Sequence, residues 1–373
     1  MKNLVNASKS LRVELLTYTP LTSMSGIGRY NRDLFAHLRG QIDIRVAAAH
    51  LLPFADRISS LQNFPIGVQD HQPGAILHFT QIMGCAQTLY RPLRPAVATV
   101  HDLGVLVCPE DSQSVNGINR RILDVQLAGL KRMDAWIADS HATAQDLITC
   151  LGCPPERVHA IHMSIDNARY RPIEDAYLML PEGARFRTDR HDVYLLYVGN
   201  ELPRKNLGSL LKALKILKDS GSRRRPRLIK VGSLGGARWR EQFAHQVESL
   251  GLADDVLILG QIDEALLPLL YNAADAFVTT SVMEGFGYPL LEAMACGTPV
   301  IASRSGSLPE IGGDAPIWID DPRDPSCIAD ALALFIDTPQ HYTAMRTRGL
   351  AQAARFTPEA WINQIIKVYQ SVS

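Results

Sequence analysis

What most constrains this chain is a rhythm that runs twice. Short apolar stretches alternate with longer amphipathic ones, and a single break separates the two runs. In the first run the apolar stretches lie at 13–19, 42–49, 75–79, 96–101, 135–139 and 158–162. Each is short and bounded by turn residues, the pattern of a buried strand. Helical periodicity falls among them at 27–39, 119–133 and 142–151, the last behind a Ser140 placed to cap it. The break, 171–192, holds two prolines, a glycine and many charges, and reads as a linker. In the second run strands are expected at 194–198, 228–231, 256–259, 276–279, 299–302 and 317–319. Helices are expected there at 207–218, 237–250, 264–272, 289–296 and 326–336, with 340–355 and 358–371 closing the chain.

Strands alternating with helices of this length make parallel sheets covered on both faces. The expected fold class is therefore α/β, with two Rossmann-like doubly wound domains, 1–175 and 190–355. Ligands of such sheets sit beyond the carboxyl ends of the strands, so the cleft between the domains is the expected site. A length of 373 residues suits two domains, each with its own core.

Composition excludes several other classes. Apolar residues are 46% and charged residues 20%, too apolar for a disordered chain. Lys+Arg and Asp+Glu are 38 each, so no global positive field exists to hold nucleic acid. No stretch approaches the ~20 apolar residues of a membrane-spanning helix. The N-terminal MKNLVNASKS has no apolar signal core, so a cytoplasmic protein is expected. Cys150 and Cys153 form a lone C-x-x-C, and zinc would need two more ligands, so these are expected to be buried or incidental thiols.

The chemistry concentrates at strand ends. Ser281-Val-Met-Glu-Gly-Phe-Gly-Tyr-Pro-Leu-Leu-Glu292 follows an expected strand and opens a helix, with Pro289 in its first turn. Gly285 and Gly287 keep the loop free of side chains, so its N–H groups and the helix N-terminus can face an anion. Glu284 and Glu292 put a carboxylate on each side, and carboxylates accept hydrogen bonds from sugar hydroxyls. A diphosphate between two sugar rings, a nucleotide sugar, satisfies all three features. The competing reading is a capping Glu and a solvated one. Arg204 and Lys205, before another helix, suit a phosphate pair or a solvated surface pair. Gly26 and Gly28 after the first strand allow close backbone approach, or form a turn with no ligand role. His101 ends a strand and faces the ligand crevice, or is a core histidine held by Asp102. No two aspartates are spaced D-x-D, so a metal-bridged diphosphate of that style is unsupported.

Together these motifs resemble glycosyltransferase family 4, the group 1 retaining enzymes of GT-B architecture. The resemblance rests on YVGNELPRKNL, LGQIDEALLPLLYNAADAFV, EGFGYPLLEAMACGTPVIAS and SLPEIGGDAPIWIDDP. GIGRYNRDL, VHDL, ADSHATAQDL and LGCPPERV carry it more loosely through the first half. It implies that Arg204 and Lys205 neutralise the donor diphosphate, and that Glu284 binds hydroxyls of the transferred sugar. Glu292 would hold the ribose. The amides of Phe286, Gly287 and Tyr288 would contact sugar and diphosphate, and Gln261 and Ile262 would lie against the base. Gly26 and Gly28 would approach the phosphates, and His101 the transferred sugar. Residues 356–373 resemble the family's closing helix, which crosses back to the first domain. The chain departs from many members at Asn200, where they place an arginine.

The wording around VHDLGVLVCPED looks most like bacterial mannosyltransferases of polysaccharide assembly. The expected donor is GDP-mannose, with UDP-glucose, UDP-N-acetylglucosamine or a deoxysugar donor as alternatives. A glycan or lipid-linked acceptor, peripheral contact with the inner membrane, and no metal or other cofactor are expected with it. The competing classes are a phosphorylase, which would need a pyridoxal phosphate lysine, and an inactive nucleotide- or glycan-binding regulator. The intact Arg204, Lys205, Glu284 and Glu292 argue against the last.

Overall fold

A computed structural model describes residues 11–19, 21–23, 25–47, 49–51, 65–68, 71–109, 117–186, 189, 191–221, 224–232 and 236–373. The N-terminal stretch read above for a signal core lies outside the described residues, as does position 48 of the expected strand 42–49.

The strands are β1 (Arg12–Leu16), β2 (Asp43–Ala47), β3 (Ala49–Leu51), β4 (Pro65–Val68), β5 (Ile76–Phe79), β6 (Ala96–Val100), β7 (Ala135–Ala138) and β8 (Val158–Ala160). They continue with β9 (Val193–Val198), β10 (Pro226–Val231), β11 (Val256–Gly260), β12 (Ala276–Thr279), β13 (Val300–Ser303) and β14 (Ile317–Ile319). Two six-stranded sheets result, ordered β2-β1-β5-β6-β7-β8 and β11-β10-β9-β12-β13-β14. Every pairing within them is parallel. The order reverses between β1 and β5 in one sheet and between β9 and β12 in the other. Loops diverge there, which opens a crevice at the carboxyl ends.

The chain divides into two compact units, Met1–Ser164 with Pro358–Ser373, and Ile165–Thr357. Each has a core of the kind a doubly wound sheet demands. In the second, Val193, Leu195 and Tyr197 alternate along β9 and pack with Leu210 and Leu214 of the helix Leu207–Asp219 and Leu332 of the helix Pro325–Asp337. In the first, Leu77, Phe79, Ala98 and Val100 pack with Leu127, Leu130 and Leu147. Burying each such leucine contributes about 1.5–3 kcal/mol relative to leaving it exposed.

The passage between units falls at Ser164–Ile165, ahead of the proline-rich stretch expected to link them. That stretch packs on the second unit. Ile173 N–H donates to Asn272 Oδ1 at 2.9 Å and a helix forms at Ala176–Met179, while just ahead of the stretch Tyr170 meets Tyr271 edge-on at 6.4 Å. The closing helix, Pro358–Val372, lies in the first unit, where Tyr369 OH pairs with His78 Nδ1 at 2.7 Å. Its Trp361 meets Tyr30 at 5.6 Å.

The expected helix 264–272 is a 3-10 turn, Glu264–Leu266, followed by a helix, Leu267–Ala273. Pro268 has no N–H to return to the Glu264 carbonyl, so the first turn tightens. The antiparallel β3–β4 pair, the 3-10 helix Ile82–Leu89, and the helices Gly104–Val107 and Leu308–Gly312 escaped the sequence reading. All are too short for a period to show over several turns.

Candidate active site

The second unit collects its charged site residues at the β9/β12 reversal. The β9 loop ends in a 3-10 turn, Pro203–Lys205, and the β12 loop runs to the helix Tyr288–Ala295. Backbone ties hold the loops together: Val282 N–H donates to Arg204 O at 2.8 Å, and Asn206 Nδ2 to Thr280 O at 3.2 Å. Asn206 takes a left-handed conformation, φ 54°, which asparagine tolerates better than most residues.

Glu284 is the hub. Lys205 Nζ donates to its Oε1 at 2.5 Å, Ser281 Oγ donates to the same oxygen at 2.7 Å, and Arg204 Nη1 lies 3.5 Å from Oε2. Arg204 also donates to Met283 O at 3.2 Å. Burial alone would raise the Glu284 pKa. The charges of Lys205 and Arg204, with hydrogen bonds from Lys205 and Ser281, outweigh that and hold it below its ordinary value. The site therefore offers a carboxylate that stays ionised among cations. This is neither a solvated surface pair nor a free capping Glu: the side chains of Arg204, Lys205 and Glu284 are 16%, 15% and 12% exposed.

The loop backbone is shaped for this. Gly306 sits at φ 56°, and a Cβ there would lie 2.4 Å from Glu284 O. The next residue, Ser307, donates both N–H and Oγ–H to that oxygen at 3.1 Å. Gly287 caps the helix Tyr288–Ala295 at φ 96°, and a Cβ there would lie 2.6 Å from Leu308 Cδ2. Gly285 and Phe286 are buried beside it, and the Phe286 ring meets Tyr288 edge-on at 5.2 Å.

Glu292, 4% exposed, lies in the second turn of that helix, and its Oε2 accepts from Tyr271 OH at 2.7 Å. Gln261 is exposed and Ile262 half-buried after β11, which β10 separates from the crevice strands.

In the first unit Ser25 caps the helix Gly26–Leu38 by accepting from Gly28 N–H at 3.1 Å. A Cβ on Gly28 would lie 2.4 Å from Ser23 O, whereas one on Gly26 would meet nothing within 4 Å. Gly28 is thus required by its own turn, while Gly26 alone faces open space.

His101 follows β6. Its Nδ1 lies 2.6 Å from Asp139 Oδ2 and its Nε2 3.0 Å from Thr80 O, with Tyr30 edge-on at 4.8 Å. The partner is Asp139 and not Asp102, whose Oδ1 instead accepts from Gly104 N–H at 3.0 Å. Burial pulls the His101 pKa down, but the Asp139 charge and hydrogen bond, with the Asp102 charge, raise it above its ordinary 6.5.

Several residues of this constellation were missed. Asp139 ends β7 just as His101 ends β6, so the same strand-end rule could have found it. Ser281 and Tyr271 carry no such signal. Lys230, inside the apolar run of β10, is fully buried and pairs with Glu201 of the β9 loop, itself 3% exposed. A lysine inside a strand was the visible clue. Cys153 is buried and Cys150 exposed, and burial pushes the Cys153 thiol up to about 11.

Two parallel six-stranded sheets, one ending in a carboxylate held by two cations, fit the GT-B type of glycosyltransferase that the sequence resembles. The comparisons agree. Residues 184–352 match the family model for glycosyl transferases group 1, and residues 67–169 match that for glycosyltransferase family 4. The chain belongs to this glycosyltransferase family. The O-antigen chain mannosyltransferase B of Escherichia coli is 28% identical over 93% of this chain and 96% of that protein. A D-inositol 3-phosphate glycosyltransferase of Catenulispora acidiphila is 29% identical over 74% of this chain and 66% of that protein. Among solved structures, sucrose-phosphate synthase from Thermosynechococcus elongatus superposes with TM-score 0.77 at 21% identity, covering 97% of this chain and 98% of that one. No helix among the described residues is long and apolar enough to cross a membrane.

Proposed function

We propose that the protein transfers a hexosyl group, mannose first, from GDP-mannose to a glycan or lipid-linked acceptor in cell-surface polysaccharide synthesis, with retention at the anomeric carbon. The observation that carries the reading is the Glu284 hub with its two cations at the β9/β12 crevice. The mannosyl donor is favoured by likeness to the E. coli mannosyltransferase along nearly the whole of both chains. UDP-glucose, UDP-N-acetylglucosamine and deoxysugar donors would use the same scaffold.

Arg204 and Lys205 bind the diphosphate, aided by the amides of Phe286, Gly287 and Tyr288 at the helix N-terminus. When phosphate oxygens take up Lys205, Glu284 is released to accept hydroxyls of the transferred sugar. Glu292 accepts the ribose hydroxyls, Gln261 and Ile262 flank the base, and Gly26 leaves room for phosphate. Bond cleavage places charge on the diphosphate, where fixed cations and amide dipoles stabilise it. The leaving phosphate takes the acceptor proton on the face it departs from, so no enzyme nucleophile is needed. The cations do the work of a metal, and turnover is expected to survive EDTA. With a lipid-linked acceptor, the enzyme would work peripherally at the cytoplasmic face of the inner membrane.

A thermal shift against GDP, UDP and ADP tests the donor. Bound nucleotide raises stability by mass action, so GDP should give the largest shift. A larger shift with UDP would replace mannose by a UDP-sugar.

A further inference from the structure

β10 carries Leu228 into the core of the second unit, and Lys230, two residues on, stands on the same face of the strand. The lysine is 0% exposed, and no other lysine among the described residues is buried. Its Nζ donates to Oε1 of Glu201, whose side chain is 3% exposed. Sealing two charges from water is costly, and a well-packed apolar pair of similar volume is often as stable or more so. Stability alone therefore gives no reason for this pair. The reason lies in direction. Apolar contact is non-directional and tolerates a loop that slides. A buried carboxylate that leaves its ammonium strands both charges, so loop positions that separate them are excluded.

The pair stands where position matters. Lys230 faces Tyr197 in the β9–β10 register, and the two strand ends meet just beyond it: a Cβ on Gly232 would lie 2.5 Å from Gly199 O. Glu201 is the third residue past β9. Only Leu202 and Pro203 separate it from Arg204, and the proline ring fixes one of the dihedrals between them. The turn is tight, with Lys205 N–H donating to Leu202 O at 2.9 Å and Asn206 N–H to Pro203 O at 3.0 Å. Its far end is tied to the β12 loop through Arg204 O and the Asn206 amide. Lys230 supplies the tie at its near end.

We propose that Lys230 and Glu201 are positioning residues for the two cations: the buried pair fixes the near end of the turn, and so the places of Arg204 and Lys205 against phosphate oxygens and against Glu284. Neither Lys230 nor Glu201 touches the ligand; both act through the turn. A group displaced by about 1 Å can lose ~100-fold in rate, so a fixed turn is worth the cost of two sealed charges. The proposal deepens the transferase reading and rests on it for the phosphate alone. The placing of Lys205 and Arg204 against Glu284 needs no ligand.

The test is the full-length double variant Glu201→Leu with Lys230→Met, which removes both charges and strands neither. Its urea midpoint should stay near that of the wild type. Its affinity for GDP, by calorimetry, should nonetheless fall about tenfold or more. GMP, which lacks the outer phosphate, should lose less, and UDP with UMP serves as the second pair of probes. Another readout needs no ligand. The Glu284 carboxyl, followed by carbon-13 NMR and assigned by its loss in Glu284→Gln, should titrate at higher pH in the double variant, because Lys205 and Arg204 hold it down in the wild type. Glu201→Asp keeps both charges and shortens the tie by one methylene, so it should shift each readout the same way by less. If either variant folds, binds the diphosphates as the wild type does and leaves the Glu284 midpoint in place, the proposal is overturned. Equal losses for diphosphate and monophosphate with an unmoved Glu284 midpoint overturn it too, since that is general loosening. A wild type that binds none of the four nucleotides refutes the transferase reading, and the Glu284 midpoint still decides the positioning role.

Discussion

Lys205 Nζ lies 2.5 Å from Glu284 Oε1, joining the two strand-end motifs that line the β9/β12 crevice. Each residue is the other's partner until a ligand offers both something better, phosphate for the lysine and hydroxyls for the glutamate. Glu284→Gln should therefore separate binding from turnover. The amide keeps a hydrogen-bonding shape but loses the charge facing the sugar. Affinity for free GDP should change little, while kcat on the full donor falls by about tenfold or more, the loss expected when a transition-state contact goes. Calorimetry with GDP and a transfer assay on the same preparation would expose an equal loss in both, which would contradict the sugar role.

Glu292 should behave in the opposite way. Its Oε2 accepts from Tyr271 OH at 2.7 Å, which fixes the carboxylate at the β12-loop helix. Glu292→Ala should weaken free GDP and the full donor alike by about 1.5–3 kcal/mol, the worth of a hydrogen bond to a charged group. Tyr271→Phe removes only the bond behind it and should cost less, about 0.5–1.5 kcal/mol. Unchanged GDP affinity in Glu292→Ala would remove it from the ribose.

The Lys230–Glu201 pair is sealed from solvent, and it anchors the loop that ends in Arg204 and Lys205. Glu201→Gln leaves a buried ammonium without its counter-charge and should cost about 3–5 kcal/mol in urea unfolding. Replacing both, Glu201→Leu with Lys230→Met, should restore most of that stability, since well-packed apolar residues tolerate such sites. If the double variant is no more stable than Glu201→Gln, the loss is one of packing and not of charge.

Acid should act through Glu284. Its folded pKa is depressed, so its contribution to stability is complete above its ordinary 4.5 and is lost as pH falls through the folded value. Glu14 and Asp255 are depressed too, so the wild-type curve alone does not isolate it. The difference between wild type and Glu284→Gln should shrink as pH falls below 4.5, measured by urea midpoints. A difference that stays constant would mean the carboxylate charge contributes nothing to folding.

The strands were legible because a strand buried on both faces needs a short continuous apolar run, and both sheets are built from such runs. Glu284, Arg204, Lys205 and His101 could be singled out because they lie in loops that follow strands, and Glu292 because it lies in the helix that one of those loops opens. Their partners could not. Lys205 and Glu284 lie 79 residues apart, His101 and Asp139 38, Lys230 and Glu201 29, and Tyr271 and Glu292 21. No local period reports a contact across such separations. The boundary between units was misplaced for a related reason. Prolines and charges mark the stretch 171–192 as irregular, but irregular backbone can still pack, as the Ile173 N–H donating to Asn272 Oδ1 shows.

The sequence by itself determined two parallel α/β sheets, the strand-end motifs, and the family that carries them, because periodicity and loop chemistry are local properties of a chain. Tertiary structure alone decided the strand order that brings β9 beside β12, and so the meeting of Lys205 with Glu284. It likewise placed Asp139 beside His101 and sealed Glu201 against Lys230. Charged partners hold Glu284 ionised and raise the His101 pKa against the pull of burial, and those partners arrive only once distant segments have closed together.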